Sequence, residues 1–103
     1  MSTNFLDVTD DMLQEVIAAN NVTIIDVWAP WCGPCKMLLP MLQSFAAENP
    51  SVTIAKLNAD ESSKLGELGV RGVPTLIKYV DGVEVARTTG VSTKGALEAF
   101  ING

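Results

Sequence analysis

The chain has 103 residues, two cysteines, no histidine, and a net charge of -5 from 12 acidic and 7 basic side chains. Such a length fits one compact domain over 1–103, burying roughly 60–70% of its unfolded surface, so folding needs no covalent staple. With no Lys/Arg cluster, nucleic-acid binding is disfavoured. Two cysteines without histidine are too few ligands for a structural zinc site, and a Cys-His or Ser-His-Asp nucleophile lacks its base.

The first ten residues are polar, with no basic start leading into an apolar run, and no stretch approaches the length of a membrane span. A soluble, cytoplasmic protein is expected, without membrane or metal partners. Thr9, followed by Asp10 and Asp11, predicts the cap of an amphipathic helix with Met12, Leu13, Val16 and Ile17 on its buried face, ending near Asn20 and Asn21. The run 22–28 is apolar on both faces and rich in β-branched residues, the mark of a strand covered on both sides. Pro34 suits the first turn of a helix reaching Glu48 through Met37, Leu38, Leu42 and Phe45, with Met37, Leu38 and Leu42 read as core and Pro40 expected to kink it.

Residues 52–57 read as a second buried strand, followed by a short helix over 62–68 that Gly69 ends. Residues 75–80 and 83–88 flank Asp81-Gly82, a two-residue hairpin signal. Ser92 is expected to cap a last helix burying Leu97, Phe100 and Ile101. Parallel strands joined through a helix, a hairpin after them and helices at both ends predict an α/β domain with a mixed sheet covered on both faces.

Both cysteines lie in Trp31-Cys32-Gly33-Pro34-Cys35. A ring this small contributes only about 2 kcal/mol through chain entropy, so a stapling role is the weaker reading. The spacing suits exchange, in which one thiolate attacks a substrate disulfide and its neighbour resolves the mixed disulfide. The pair falls where the central strand gives way to a helix, and the free N–H groups and dipole of that helix end stabilise a thiolate at Cys32. Cys35, one turn further in and more enclosed, is expected to stay protonated until needed. Asp26 interrupts the apolar strand between Ile24-Ile25 and Val27-Trp28. Burial raises the pKa of a carboxylate there, making it a candidate acceptor for the Cys35 proton; an Asp bonded to backbone at a strand end is the structural alternative. Trp31 reads as an exposed apolar contact for substrate chains, with partial core as the alternative.

The stretch 28–36, together with Asp26, Pro40, Ala55-Lys56-Leu57, Arg71-Gly72-Val73-Pro74-Thr75 and Gly90, resembles the thioredoxin family over essentially the whole chain. The resemblance implies a thioredoxin fold, a central five-stranded mixed β-sheet flanked by four α-helices. It implies a redox disulfide between Cys32 and Cys35, reduction of disulfide-containing proteins, recycling by a thioredoxin reductase, a monomer, and no cofactor. It makes Lys56 the partner of Asp26 in a catalytic group with the two cysteines. It also places Trp31, Gly33, Pro34, Val73, Pro74 and Gly90 along the substrate, with Gly90 allowing close backbone approach. X-Pro bonds are cis in only about 5–6% of cases, but the resemblance implies a cis Val73-Pro74 bond, with Pro74 against the cysteines. Ala59 stands where the family often carries a larger aliphatic residue, and 60–70 is about one residue shorter. Two alternatives are a glutaredoxin-like enzyme using glutathione and a non-catalytic subunit of a larger assembly.

Overall fold

The computed structural model describes residues 4–103. Five strands, β1 (Phe5–Val8), β2 (Val22–Trp28), β3 (Val52–Asn58), β4 (Thr75–Val80) and β5 (Val83–Thr88), form one sheet in the order β1-β3-β2-β4-β5. Strands β1 and β2 run parallel to β3, while β4 is antiparallel to β2 and β5 to β4. The helices are α1 (Leu13–Ala19), α2 (Gly33–Glu48), α3 (Leu65–Leu68) and α4 (Lys94–Asn102), with short 3₁₀ turns over Asp10–Met12 and Ala59–Glu61.

Strand β2 lies at the centre of the sheet, and its side chains alternate between two cores. Ile24 joins Leu38, Leu42, Phe45, Ile54, Leu76, Leu97 and Ile101 beneath α2 and α4. Ile25 and Val27 join Leu13, Ile17, Leu57, Val70 and Ile77 on the opposite face, beneath α1 and α3. Both faces of β2 are therefore buried, as its unbroken apolar run requires. By the same alternation Asp26 points to the face of Ile24, the face that α2 covers.

Asp81 and Gly82 both have positive φ, 51° and 84°, the pair a type I′ hairpin turn needs. Gly69 ends α3 in the left-handed conformation, with its N–H on the Gly66 carbonyl. The structure departs from the sequence reading at several places. Residues 5–8 form an edge strand that the polar N-terminus did not suggest. The first helix opens as a 3₁₀ turn without a side-chain cap from Thr9, and Met12 is exposed. Thr93, not Ser92, caps α4, its hydroxyl accepting the N–H of Ala96 at 3.1 Å. Residues 62–64 lie outside α3, which is a single turn. Pro40 sits inside α2, and the helix runs unbroken across it.

Candidate active site

Strand β2 ends at Trp28, and a tight turn over 29–31 leads to Cys32, the N-cap of α2. The turn is fixed by the N–H of Cys32, which donates to the Ala29 carbonyl at 3.1 Å. The sulfur of Cys32 accepts the backbone N–H of Cys35 at 3.2 Å, taking the place a capping oxygen has in other helices. Pro34 falls in the first turn, where a missing N–H removes no helical bond. Cys32 and Cys35 are joined as a disulfide with Cα atoms 5.3 Å apart.

Burial does not separate the two cysteines, which are 5% and 4% exposed. The expectation that Cys35 is the more enclosed is therefore not met. Hydrogen-bond direction distinguishes them instead. Cys32 sulfur caps the positive end of a 16-residue helix, whereas Cys35 lies within the first turn and directs its own N–H at Cys32.

Asp26 is 2% exposed, and its Oδ1 has no hydrogen-bond partner among the described residues. Desolvation pushes its pKa up to about 7, with the charge of Lys56 acting in the opposite direction. A carboxylate bonded to backbone at a strand end would keep a low pKa, so the environment is that of a group able to take and release a proton near neutrality. Lys56 stands opposite Asp26 in the β2/β3 register, but its ammonium pairs with Asp7 at 3.2 Å and sits 4.2 Å from the centre of the Phe5 ring.

The Val73-Pro74 bond is cis. Val73 packs with Trp28 against the cluster of Ala29, Cys32 and Cys35, while Pro74 is partly buried immediately before β4. The hydroxyl of Thr75 donates to the Gly72 carbonyl at 2.7 Å and fixes the loop from behind. Trp31 is 70% exposed, and its indole N–H lies 3.1 Å from each carboxylate oxygen of Asp60. A cleft of about 240 Å³ runs from Trp31 past Ala59, Asp60 and Leu65 to Gly72 and Val73. On the other side of the cysteines, Pro34, Met37, Met41 and Val91 border an apolar groove of about 170 Å³. Met37 is 78% exposed, which corrects its assignment to the core. Gly33 and Gly90 are exposed, and a side chain at Gly90 would meet open space without a positive φ. A need for glycine at 90 therefore arises only against a bound partner.

Of the residues lining the two clefts, the sequence reading did not single out Asp60 and Leu65, and it placed Met37 in the core. No local pattern marks the first two, whose place depends on the loop after β3 folding back toward Trp31.

A disulfide across a two-residue loop, set between the central strand of a mixed sheet and a helix N-terminus, with a buried carboxylate on that same strand, defines a thiol-disulfide oxidoreductase. The thioredoxin family model matches residues 4–103, and the chain belongs to the thioredoxin family. It is 49% identical over 85 residues to a thioredoxin of Chlamydia pneumoniae, an overlap of 82% of this chain and 83% of that protein. It is 39% identical over 105 residues to a thioredoxin of Pseudomonas aeruginosa, covering 99% and 97% of the two chains. Among solved structures, the N21Q mutant thioredoxin from Halobacterium salinarum superposes with a TM-score of 0.85 at 35% identity, over 97% of this chain and 93% of that one. The fold is the thioredoxin fold, and the chain is a thiol-disulfide reductase.

Proposed function

We propose that this chain reduces disulfides of other proteins, with Cys32 as nucleophile, Cys35 as resolving thiol and Asp26 as proton acceptor. The Cys32 thiolate attacks one sulfur of the substrate disulfide, forming a mixed disulfide and releasing the other substrate sulfur as a thiolate. Asp26 takes the proton of the Cys35 thiol. The Cys35 thiolate then attacks Cys32 sulfur, closing the Cys32-Cys35 disulfide and releasing the second substrate thiolate. The substrate leaves carrying two electrons, which a thioredoxin reductase returns to the pair. Lys56 acts on Asp26 through its charge and keeps part of the carboxylate population ionised at neutral pH. No prosthetic group takes part, and one domain carries the whole cycle as a cytoplasmic monomer.

The observation that carries this assignment of roles is the Cys35 N–H directed at Cys32 sulfur at the head of α2. The extended substrate segment lies along the cleft beside Trp31 and Val73, where the backbone before cis-Pro74 offers strand-like hydrogen bonds, with Gly33, Pro34 and Gly90 on its other flank. Reduction of insulin with NADPH and a thioredoxin reductase tests the cycle. Steady turnover is expected with the reductase; turnover only with glutathione would favour the glutaredoxin-like alternative. Function retained in a Cys32→Ser, Cys35→Ser double variant would make the chain a binding subunit instead.

A further inference from the structure

We propose that Asp10 is a positioning residue for substrate recognition, latching the wall of the Trp31 cleft from 52 residues earlier in the chain. The inference rests on the reading of that cleft as the substrate surface.

The wall is the segment between β3 and the buried Val70; its far end is held by Arg87, which donates to the Gly69 carbonyl at 3.3 Å, and by the Val70 N–H on the Leu65 carbonyl at 2.9 Å, but its near end is less secured. Apart from the Asp60–Trp31 contact, its 3₁₀ turn, Ala59–Glu61, has only short-range bonds: the side chain of Asn58 accepts the Asp60 N–H at 2.9 Å, and Ser62 N–H reaches the Ala59 carbonyl at 3.3 Å. The following helix α3 is one turn long, and Lys64 provides no side-chain cap. Ala59, Leu65 and Leu68 are only partly buried against the core.

Asp10 supplies what the segment lacks. One carboxylate oxygen accepts the Ser62 hydroxyl at 2.6 Å. The other accepts the Ser63 N–H at 2.7 Å and its hydroxyl at 3.1 Å. The Asp10 carbonyl accepts from the Lys64 ammonium at 3.5 Å. The Ser62 oxygen in turn accepts the Lys64 N–H at 3.1 Å, so the bond from Asp10 continues into the residue that opens α3. Both carboxylate oxygens thus hold residues 62–63, one residue beyond the turn that carries Asp60. From the middle of that turn Asp60 binds the indole of Trp31. With residues 62–63 pinned, Asp60 is held where its carboxylate keeps the exposed indole upright beside Cys32. Released, the turn moves as a flexible loop, and Trp31 loses the acceptor that orients it.

The geometry therefore assigns Asp10 an effect on binding rather than on sulfur chemistry. Asp10→Ala is expected to raise KM for insulin about three- to tenfold with little change in kcat. In ¹⁵N-labelled protein, the Trp31 indole N–H resonance moves toward its solvent-exposed position, with the Trp28 indole as internal reference. If Asp10 acts through Asp60, the Asp10→Ala, Asp60→Ala double variant has the KM of Asp60→Ala alone. Should Asp10→Ala fail to fold, a Ser62→Ala, Ser63→Ala variant breaks the same latch from the other side. A lower melting temperature with KM and the Trp31 resonance unchanged, or effects of Asp10→Ala and Asp60→Ala that multiply independently, would overturn the proposal. If Asp60→Ala leaves KM unchanged, the proposal is overturned; if Trp31→Ala leaves it unchanged as well, the cleft is not the substrate surface and the failure lies in the reading of the site.

Discussion

Asp26 and Lys56 stand directly opposite one another in the parallel register of β2 and β3, yet the ammonium of Lys56 is bonded to Asp7 on the edge strand, 3.2 Å away. The buried carboxylate is therefore influenced by a neighbouring positive charge without being tied to it. A direct buried ion pair would hold Asp26 ionised at all working pH values. Here desolvation prevails over the lysine and leaves the pKa near 7, where a group exchanges protons most readily at neutral pH.

The first prediction concerns stability. The folded-state pKa of Asp26, about 7, lies above its ordinary 3.8. Between those values the folded chain keeps a proton that the unfolded chain has lost, so the cost of this residue grows as pH rises through the window. Asp26→Asn removes a group that is costly to ionise. It is expected to be more stable than the native chain by on the order of 2–4 kcal/mol at pH 8, with the difference shrinking toward pH 4. Urea unfolding at pH 4, 6 and 8 measures it; a gain independent of pH would place the effect in packing instead.

Lys56 gives a second prediction. Its charge lowers the Asp26 pKa, so Lys56→Met is expected to move that pKa further up and shift the pH profile of mixed-disulfide resolution to higher pH. Stopped-flow rates across pH 6 to 9 test this. A profile that does not move confines Lys56 to its bond with Asp7.

A third prediction separates adjacent hydroxyls at the head of α4. Thr93 accepts the N–H of Ala96 and Ser92 does not cap the helix. Thr93→Ala is expected to cost about 0.5–2 kcal/mol, and Ser92→Ala no more than about 0.5 kcal/mol. Equal losses in chemical denaturation would contradict the assignment of the cap.

The elements legible in the sequence are those whose signals are local. Residues 22–28 announce a doubly covered strand by composition alone, and Asp81-Gly82 announces its hairpin because both positions tolerate positive φ. The strand Phe5–Val8 is short, interrupted by Asp7, and exists through pairing with β3, where Phe5 faces Ile54. Nothing in its own four residues requires it. Met37 and Leu38 are consecutive on α2, and composition cannot say which of the two turns inward; only the docking of the helix onto the sheet decides it.

The candidate site divides in the same way. Cys32, Cys35 and Asp26 were visible as chemistry, since a thiol pair and a carboxylate in an apolar strand are anomalies wherever they occur. The supporting contacts join residues distant in sequence. Trp31 and Asp60 are 29 residues apart and Asp10 and Ser62 are 52 apart. Neither pairing leaves a trace in the spacing of the chain.

The central claim is that Cys32 attacks and Cys35 resolves, and trapping the intermediate tests it most directly. Cys35→Ser and Cys32→Ser are each reduced, mixed at neutral pH with a disulfide-bonded substrate protein, and analysed by intact mass spectrometry after an acid quench. Cys35→Ser is expected to accumulate a one-to-one mixed disulfide through Cys32, because the thiol that would release it is absent. Cys32→Ser is expected to form little or none on the same timescale. A stable adduct on Cys32→Ser, with none on Cys35→Ser, would contradict the assignment and reverse the two roles.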